Sequence, residues 1–232
     1  MRAMILAAGR GERLRPLTDH CPKPLLQVGG KPLIVRHLER LARAGFTEVA
    51  INHAHLGHLI EGALGDGSRW GLRIRYSPEA QALETAGGIA QALPLLGDAP
   101  FLVINGDVFT DFAFARAPAI AARMGALGLR AWAVLVDNPP EHPQGDFSLA
   151  DERLRRRNGA TLTFSGIAVY EPAVFAGLGA GVRAPLRPIL DSLIDAEAIG
   201  AEHHRGRWID VGTPQRLAAL DAECRAAGDE FR

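Results

Sequence analysis

The opening stretch MRAMILAAGRGERLRPLTDHCPKP restricts the fold more than any other part of the chain. A short apolar strand, Arg2 to Ala7, runs into a turn containing Ala8, Gly9 and Gly11. Glu12, Arg13 and Arg15 come next, followed by Pro22-Lys23-Pro24. Glycines at 9 and 11 permit positive φ and close approach of backbone to a ligand, so successive N–H groups face an anion. Arg13 adds a planar fork for phosphate oxygens and Lys23 a compact point charge, with prolines fixing φ on both sides of the lysine. Neither of the commoner phosphate loops fits. No Gly-Lys-Ser/Thr closes the turn, and Arg13 replaces glycine in the dinucleotide pattern.

The following residues alternate between helical and strand periods. Apolar positions in Lys31–Ala44 recur at three- and four-residue spacing before Gly45, which predicts a helix and its stop. Strands are predicted over Glu48–Asn52 and Leu72–Tyr76, with a helix from about Leu56 to Leu64 between them. Glu84-Thr85-Ala86-Gly87-Gly88 opens a further helix to about Leu96. The two glycines serve either a flat ligand lying on the backbone, which makes Gly88 a ligand-binding candidate, or tight helix–sheet packing. Phe101–Ile104 reads as a central strand ending in Asn105-Gly106-Asp107, at the carboxyl edge where open α/β sheets collect ligands.

Beyond Thr110 the pattern loosens. A helix over Ala113–Gly125 and a strand over Leu129–Val136 lead to a proline-rich irregular stretch at 137–145. An edge strand near Gly145–Leu149 pairs through Asp151-Glu152 with the next strand. Thr161–Tyr170 reads as a long strand whose Gly166 marks close backbone approach by a ligand. Helices are expected near Pro172–Leu178 and Pro188–Ile194, and a closing helix over Pro214–Ala227. The pattern gives one α/β domain over 1–232, with a division at about residue 110.

Lys plus Arg equal Asp plus Glu at 26 each, so no net field calls for nucleic acid or an acidic membrane as partner. No apolar run reaches the ~20 residues of a membrane span, and the start does not read as a signal peptide, which points to the cytoplasm. Cys21 and Cys224 read as unpaired thiols. His53, His55, His58, His203 and His204 read as polar surface groups, Trp70 and Trp208 as packing residues, and Arg155–Arg157 as a solvated turn. Oligomeric state is not legible.

Taken together, Leu6, Ala7, Ala8, Gly9, Gly11, Arg13, Pro16, Thr18, Pro22, Lys23 and Pro24 match the signature that sugar-1-phosphate nucleotidyltransferases carry. The chain resembles that family. The resemblance implies a Rossmann-like, mixed but mostly parallel sheet flanked by helices, and attack of a sugar-1-phosphate oxygen on the α-phosphorus of a nucleoside triphosphate. It also implies Mg²⁺ held by Asp107 and Asp210, with Arg13 and Lys23 catalytic. Ala8, Gly9, Gly11, Glu12 and Gly88 are then at the nucleotide. Across nearly its full length the sequence is most similar to the N-acetylmuramate-1-phosphate uridylyltransferases of cell-wall recycling, through stretches such as L83ETAGG88, G145DF147 and E202HHRGRWIDVGTP214, which implies a nucleotide-binding half to about 110 and a sugar-binding half after it. This implies UTP and a sugar 1-phosphate as partners, with Asn105, Gly145 and Asp146 at the sugar. A turn-stabilising role for Asp146 stays open. So do a transferase for another hexose 1-phosphate with UTP, dTTP or GTP, and a non-catalytic nucleotide-sugar sensor.

Overall fold

The computed structural model describes residues 1–227; residues 228–232, the end of the expected domain, lie outside the described residues. Strands β1 (Ala3–Leu6), β2 (Gln27–Val28) and β3 (Lys31–Pro32) precede helix α1 (Leu33–Arg43). Then come β4 (Glu48–His53), α2 (Gly57–Leu64), β5 (Arg73–Pro78), α3 (Glu84–Leu96), β6 (Phe101–Asn105), β7 (Val108–Thr110) and α4 (Ala117–Ala126). The second half contributes β8 (Ala131–Val136), β9 (Ser148–Ala150), β10 (Arg153–Arg155), β11 (Thr163–Tyr170), α5 (Arg187–Asp195), β12 (Ile199–His203), β13 (Trp208–Asp210) and α6 (Pro214–Ala226).

Among the described residues nine strands join in one mixed sheet, ordered β5-β4-β1-β6-β11-β8-β12-β10-β9. β5, β4, β1 and β6 pair in parallel, β12 pairs in parallel with β8, and only β11 and β10 run against the rest. The chain moves outward from β1 to β4 and β5, then returns to lay β6 on the other side of β1. That reversal opens a crevice at the carboxyl ends of β1 and β6.

Each face of the sheet is covered by an amphipathic layer. In α1, Leu33, Ile34, His37, Leu38 and Leu41 are buried at the spacing of one helix face. Gly45 at φ 83° ends the helix, with Phe46 N bonding back to Leu41 O. Ile60 and Leu64 of α2, with Ile120 and Met124 of α4, join that core, while Ala86, Ile89, Leu96, Leu190, Leu193 and Ile194 of α3 and α5 form the other. A third cluster ties Leu217, Leu220 and Cys224 of α6 to Leu14, Val28, Phe109 and Val211. The closing helix thus fastens the opening loop to the late strand. No described helix is long and apolar enough to cross a membrane.

Several expectations change. Pro172–Leu178 forms only a 3-10 turn at Pro172–Val174, and the expected helix from Ala113 begins as a 3-10 turn at Phe114–Arg116 before α4. β12, unmarked in the sequence, lies parallel to β8, where Gly200 makes room for the Trp132 ring. Arg155 and Arg156 are not a free turn: they pair with Glu197, Asp191 and Asp195. His53 is buried beside Glu61 rather than a surface group.

Candidate active site

The loop after β1 is braced from within. Gly11 takes φ 69°, and its carbonyl accepts Leu14 N and Thr18 Oγ1, each at 2.9 Å. A methyl group at Gly11 would lie 2.9 Å from Thr18 Cγ2 and 3.3 Å from Lys23 Cβ, so glycine is required for the loop to close on Lys23. Arg10 donates to Thr18 O and Asp19 Oδ1 across the loop. At Gly9 the corresponding direction is open space.

That space belongs to a first chamber, lined by Ala7, Ala8, Gly9, Lys23, Asn52, Glu84, Thr85, Asn105 and Asp107 among others. Its back wall is a buried polar chain. Asn52 Oδ1 accepts Ala7 N at 2.9 Å, Asn52 Nδ2 donates to Glu79 Oε1 at 2.7 Å, and Glu79 Oε2 accepts Leu83 N at 2.8 Å. Every group in the chain is satisfied, as burial demands. Gly88 lies behind this wall, where a methyl group would strike Asn52 Nδ2 and Glu79 Oε1, and Gly87 packs on Val182 O and Ala184 N. Both glycines therefore serve packing, and Glu84 and Thr85 face the chamber instead.

A second chamber adjoins the first, sharing Asn105 and Asp107. Its walls are Arg13, Pro139, Glu141, His142, Thr163, Phe164, Ser165, Trp208, Asp210 and Arg216. The two aspartates meet because β7 and β13 form an antiparallel ribbon in which Asp210 lies opposite Val108 and Val211 N donates to Asp107 O at 2.9 Å. Gly106 N donates to Leu6 O at 2.8 Å, and the absence of a side chain there lets the end of β6 touch the end of β1. Lys23, 7% exposed, places its ammonium against Asp107 Oδ2. Arg216 Nη1 lies 3.2 Å from Asp210 Oδ2 and contacts Glu141, and Arg13 Nη2 lies 3.9 Å from Asp210 Oδ2. Among the described residues no three His, Cys, Asp or Glu side chains gather as a metal cluster. Asp107 and Asp210 line the same chamber, and two carboxylates there could hold a hard cation that completes its shell with phosphate and water oxygens.

The structure thus brings Ala8, Gly9, Lys23, Asn105, Asp107, Asp210 and Arg13 to one cleft. Glu12 remains outside, exposed and 4.0 Å from Arg10. Gly145 and Asp146 stand one step behind the second chamber. Gly145 takes φ 56° against Asn138 and Leu162, while Asp146 accepts Phe164 N at 2.9 Å and lies 3.0 Å from His142 Nε2. Asp146 therefore reaches the chamber through His142. Gly166, at φ 76°, is where the sequence predicts close backbone approach by a ligand; the missing side chain there makes way for the Asn105 side chain. Trp208 lines the second chamber while its indole N–H donates to Ser165 O at 2.8 Å. Asn52, Glu79, His142 and Arg216 were not singled out by sequence. Asn52 was the most legible, a polar residue closing an apolar strand; Arg216 also carried a signal, a positive charge in a helix's first turn.

The family profile described as nucleotidyl transferase matches residues 2–150, the stretch that holds the opening loop, Asn105 and Asp107. The chain belongs to the nucleotidyl transferase family. This nucleotidyl transferase is 55% identical to an N-acetylmuramate alpha-1-phosphate uridylyltransferase from Neisseria meningitidis serogroup B, over 96% of the chain and 97% of the relative. It is 36% identical to a protein of the same name from Caulobacter vibrioides, over 97% and 96%. A Bacillus anthracis structure, provisionally assigned as a glucose-1-phosphate thymidylyltransferase and solved with sucrose, superposes at a TM-score of 0.84 with 22% identity, over 100% of the chain and 99% of that chain. That likeness bears on the fold alone.

Proposed function

We propose that this nucleotidyl transferase joins UTP to N-acetylmuramic acid 1-phosphate, releasing pyrophosphate and UDP-N-acetylmuramic acid. The observation that carries the reaction class is the meeting of two chambers at Asn105 and Asp107, with Lys23 and Asp210 at the junction. One chamber takes the nucleotide and the other the sugar, so the sugar phosphate and the α-phosphate meet between them. The near-full-length likeness to uridylyltransferases acting on N-acetylmuramate 1-phosphate supports the choice of substrates.

The phosphate oxygen of the sugar attacks the α-phosphorus in line, and the bond to the bridging oxygen of pyrophosphate breaks. Such transfer needs orientation and charge neutralisation rather than a protein nucleophile. Lys23, held by burial and by Asp107, sets a fixed positive charge at the junction. Arg13 supplies a second positive charge at the mouth, for the leaving phosphates. The Ala8-Gly9 backbone borders the nucleotide chamber. Asp107 and Asp210 would hold Mg²⁺, which when bound neutralises phosphate oxygens. The reading places the enzyme in the cytoplasm, in the recovery of cell-wall sugar.

Incubation with Mg²⁺, each nucleoside triphosphate in turn and a panel of sugar 1-phosphates, with pyrophosphate release as readout, tests the proposal. Release is expected with UTP and N-acetylmuramic acid 1-phosphate. A preference for GTP or dTTP would sink the uridylyl assignment, and no release with any pair would favour a nucleotide-sugar sensor.

A further inference from the structure

Arg216 is an unusual residue to find in the wall of a sugar chamber. It stands three residues after the Thr213 cap of α6, where positive charge opposes the helix dipole. Its side chain is only 20% exposed and firmly held. Thr213 Oγ1 accepts from both its backbone N–H and its Nε at 3.3 Å, Asp210 Oδ2 lies 3.2 Å from Nη1, and Glu141 meets the same nitrogen. Sugar hydroxyls both donate and accept, whereas a guanidinium only donates, in a fork shaped for a carboxylate. Arg13 and Arg216 bring two guanidinium groups to this chamber, with Asp210 beside both and Glu141 beside Arg216.

His142 adds an imidazole to the same lining. Its loop, 137–146, is fixed: Asn138 Nδ2 donates to Thr161 O at 3.1 Å, Asn138 Oδ1 accepts Thr163 Oγ1 at 2.9 Å, and Asp146 steadies the His142 ring. Nothing in the transfer chemistry at the phosphates uses Arg216 or His142.

We propose that Arg216, with His142 as a second contact, receives the lactyl carboxylate that N-acetylmuramic acid carries and N-acetylglucosamine lacks. This rests on the muramate reading above and assigns its specificity to two residues. The guanidinium is preorganised by Thr213 and Glu141, so little ordering is needed when the substrate carboxylate arrives. The carboxylate that sets this sugar apart is matched by a donor-only group. A neutral replacement leaves that group with one fewer acceptor.

The test measures kcat/KM with Mg²⁺ and UTP for N-acetylmuramic acid 1-phosphate and for its neutral lactyl carboxamide. The wild-type protein should prefer the acid by about ten- to a hundredfold, the value of a hydrogen bond to a charged group. Arg216→Gln should cut that preference to within about threefold, mainly through KM for the acid, Arg216→Lys should recover part of it, and His142→Gln should reduce it by a smaller factor. If Arg216→Gln slows both substrates equally and keeps the preference, Arg216 merely steadies Asp210 and the assignment is overturned. Circular dichroism checks folding, and the lysine and His142 variants carry the same comparison should the glutamine variant not fold. A wild-type enzyme that uses neither muramate compound but accepts another sugar phosphate overturns the muramate reading itself, a result distinct from equal losses in the variant.

Discussion

Lys23 joins a buried stem to a charged head whose partner, Asp107, stands where the two chambers meet. The Lys23→Ala variant should remain folded by circular dichroism, because the loop is also braced through Gly11, Thr18 and Arg10. Its turnover should fall by about two to three orders of magnitude, the usual scale for losing one fixed electrostatic contact at a reacting phosphate. Unchanged pyrophosphate release would remove Lys23 from the mechanism. Asp210 makes a separable prediction. Asp210→Asn keeps the shape of the ribbon and loses one negative charge, so the Mg²⁺ concentration giving half-maximal rate should rise by at least about tenfold. At this scale the loop was readable in advance because its requirement is local: glycine where φ is positive, cations beside backbone N–H groups. Glu79 was not readable, since its partner Asn52 lies on another element, and Arg216 showed only a charge in a helix's first turn, its partners Asp210 and Glu141 lying on other segments.

The element that sets the shape of the second chamber is β11, with the 137–146 loop packed against its start. Pairing of β11 with β8 shifts register between Phe164 and Ile167, and Gly166 sits in that bulge at φ 76°. A methyl group there would lie 2.5 Å from Asn105 Cγ. Gly166→Ala should therefore destabilise the protein by about 1–3 kcal/mol in urea unfolding and raise KM for the sugar phosphate more than for UTP, because Asn105 must move. An equal rise in both KM values would mean that the bulge serves the whole cleft. The amphipathic helix α1 was legible from period alone. β12 was not. Its run Ile199-Gly-Ala-Glu-His is short and small, and it becomes a strand only because Trp132 of β8 covers Gly200.

Across the whole molecule, the cleft shares its floor with the core. His37 of α1 is buried beneath the ribbon, and burial, reinforced by Arg40, pushes its pKa down from 6.5 to about 4, while the Val108 backbone and Asp107 pull the other way. Between those values the unfolded chain binds the proton and the folded one does not, so stability falls as pH drops from about 6.5 towards 4 and is insensitive to His37 above that range. The loss across that window amounts to about 3 kcal/mol at most. Urea midpoints at pH 7.5 and 5 should therefore separate less in His37→Gln than in the parent chain, and equal separations would show that His37 is already charged in the fold. A ligand that seats in the cleft adds stability by mass action. UTP with Mg²⁺ at a hundred times its Kd should contribute about 2.7 kcal/mol, a rise in Tm of roughly 5–10 °C for a chain of this size.

The sequence by itself determined the glycine turn that closes on Lys23 and the alternation of strands and helices up to Asp107, because each depends on neighbours a few residues away or on a period within one element; Asp210 was marked only by the family resemblance. Tertiary structure alone decided which glycines face the cleft and which face protein. Gly9 opens on the cleft, whereas Gly87, Gly88 and Gly166 accommodate other parts of the chain, and a glycine in sequence looks the same in either setting. It also decided that α6 would deliver Arg216 beside Asp210 and the 137–146 loop would set His142 in the same chamber. Those residues are brought together by the β7–β13 ribbon and by the loop's bonds to β11, contacts between segments far apart in the chain that no local pattern encodes.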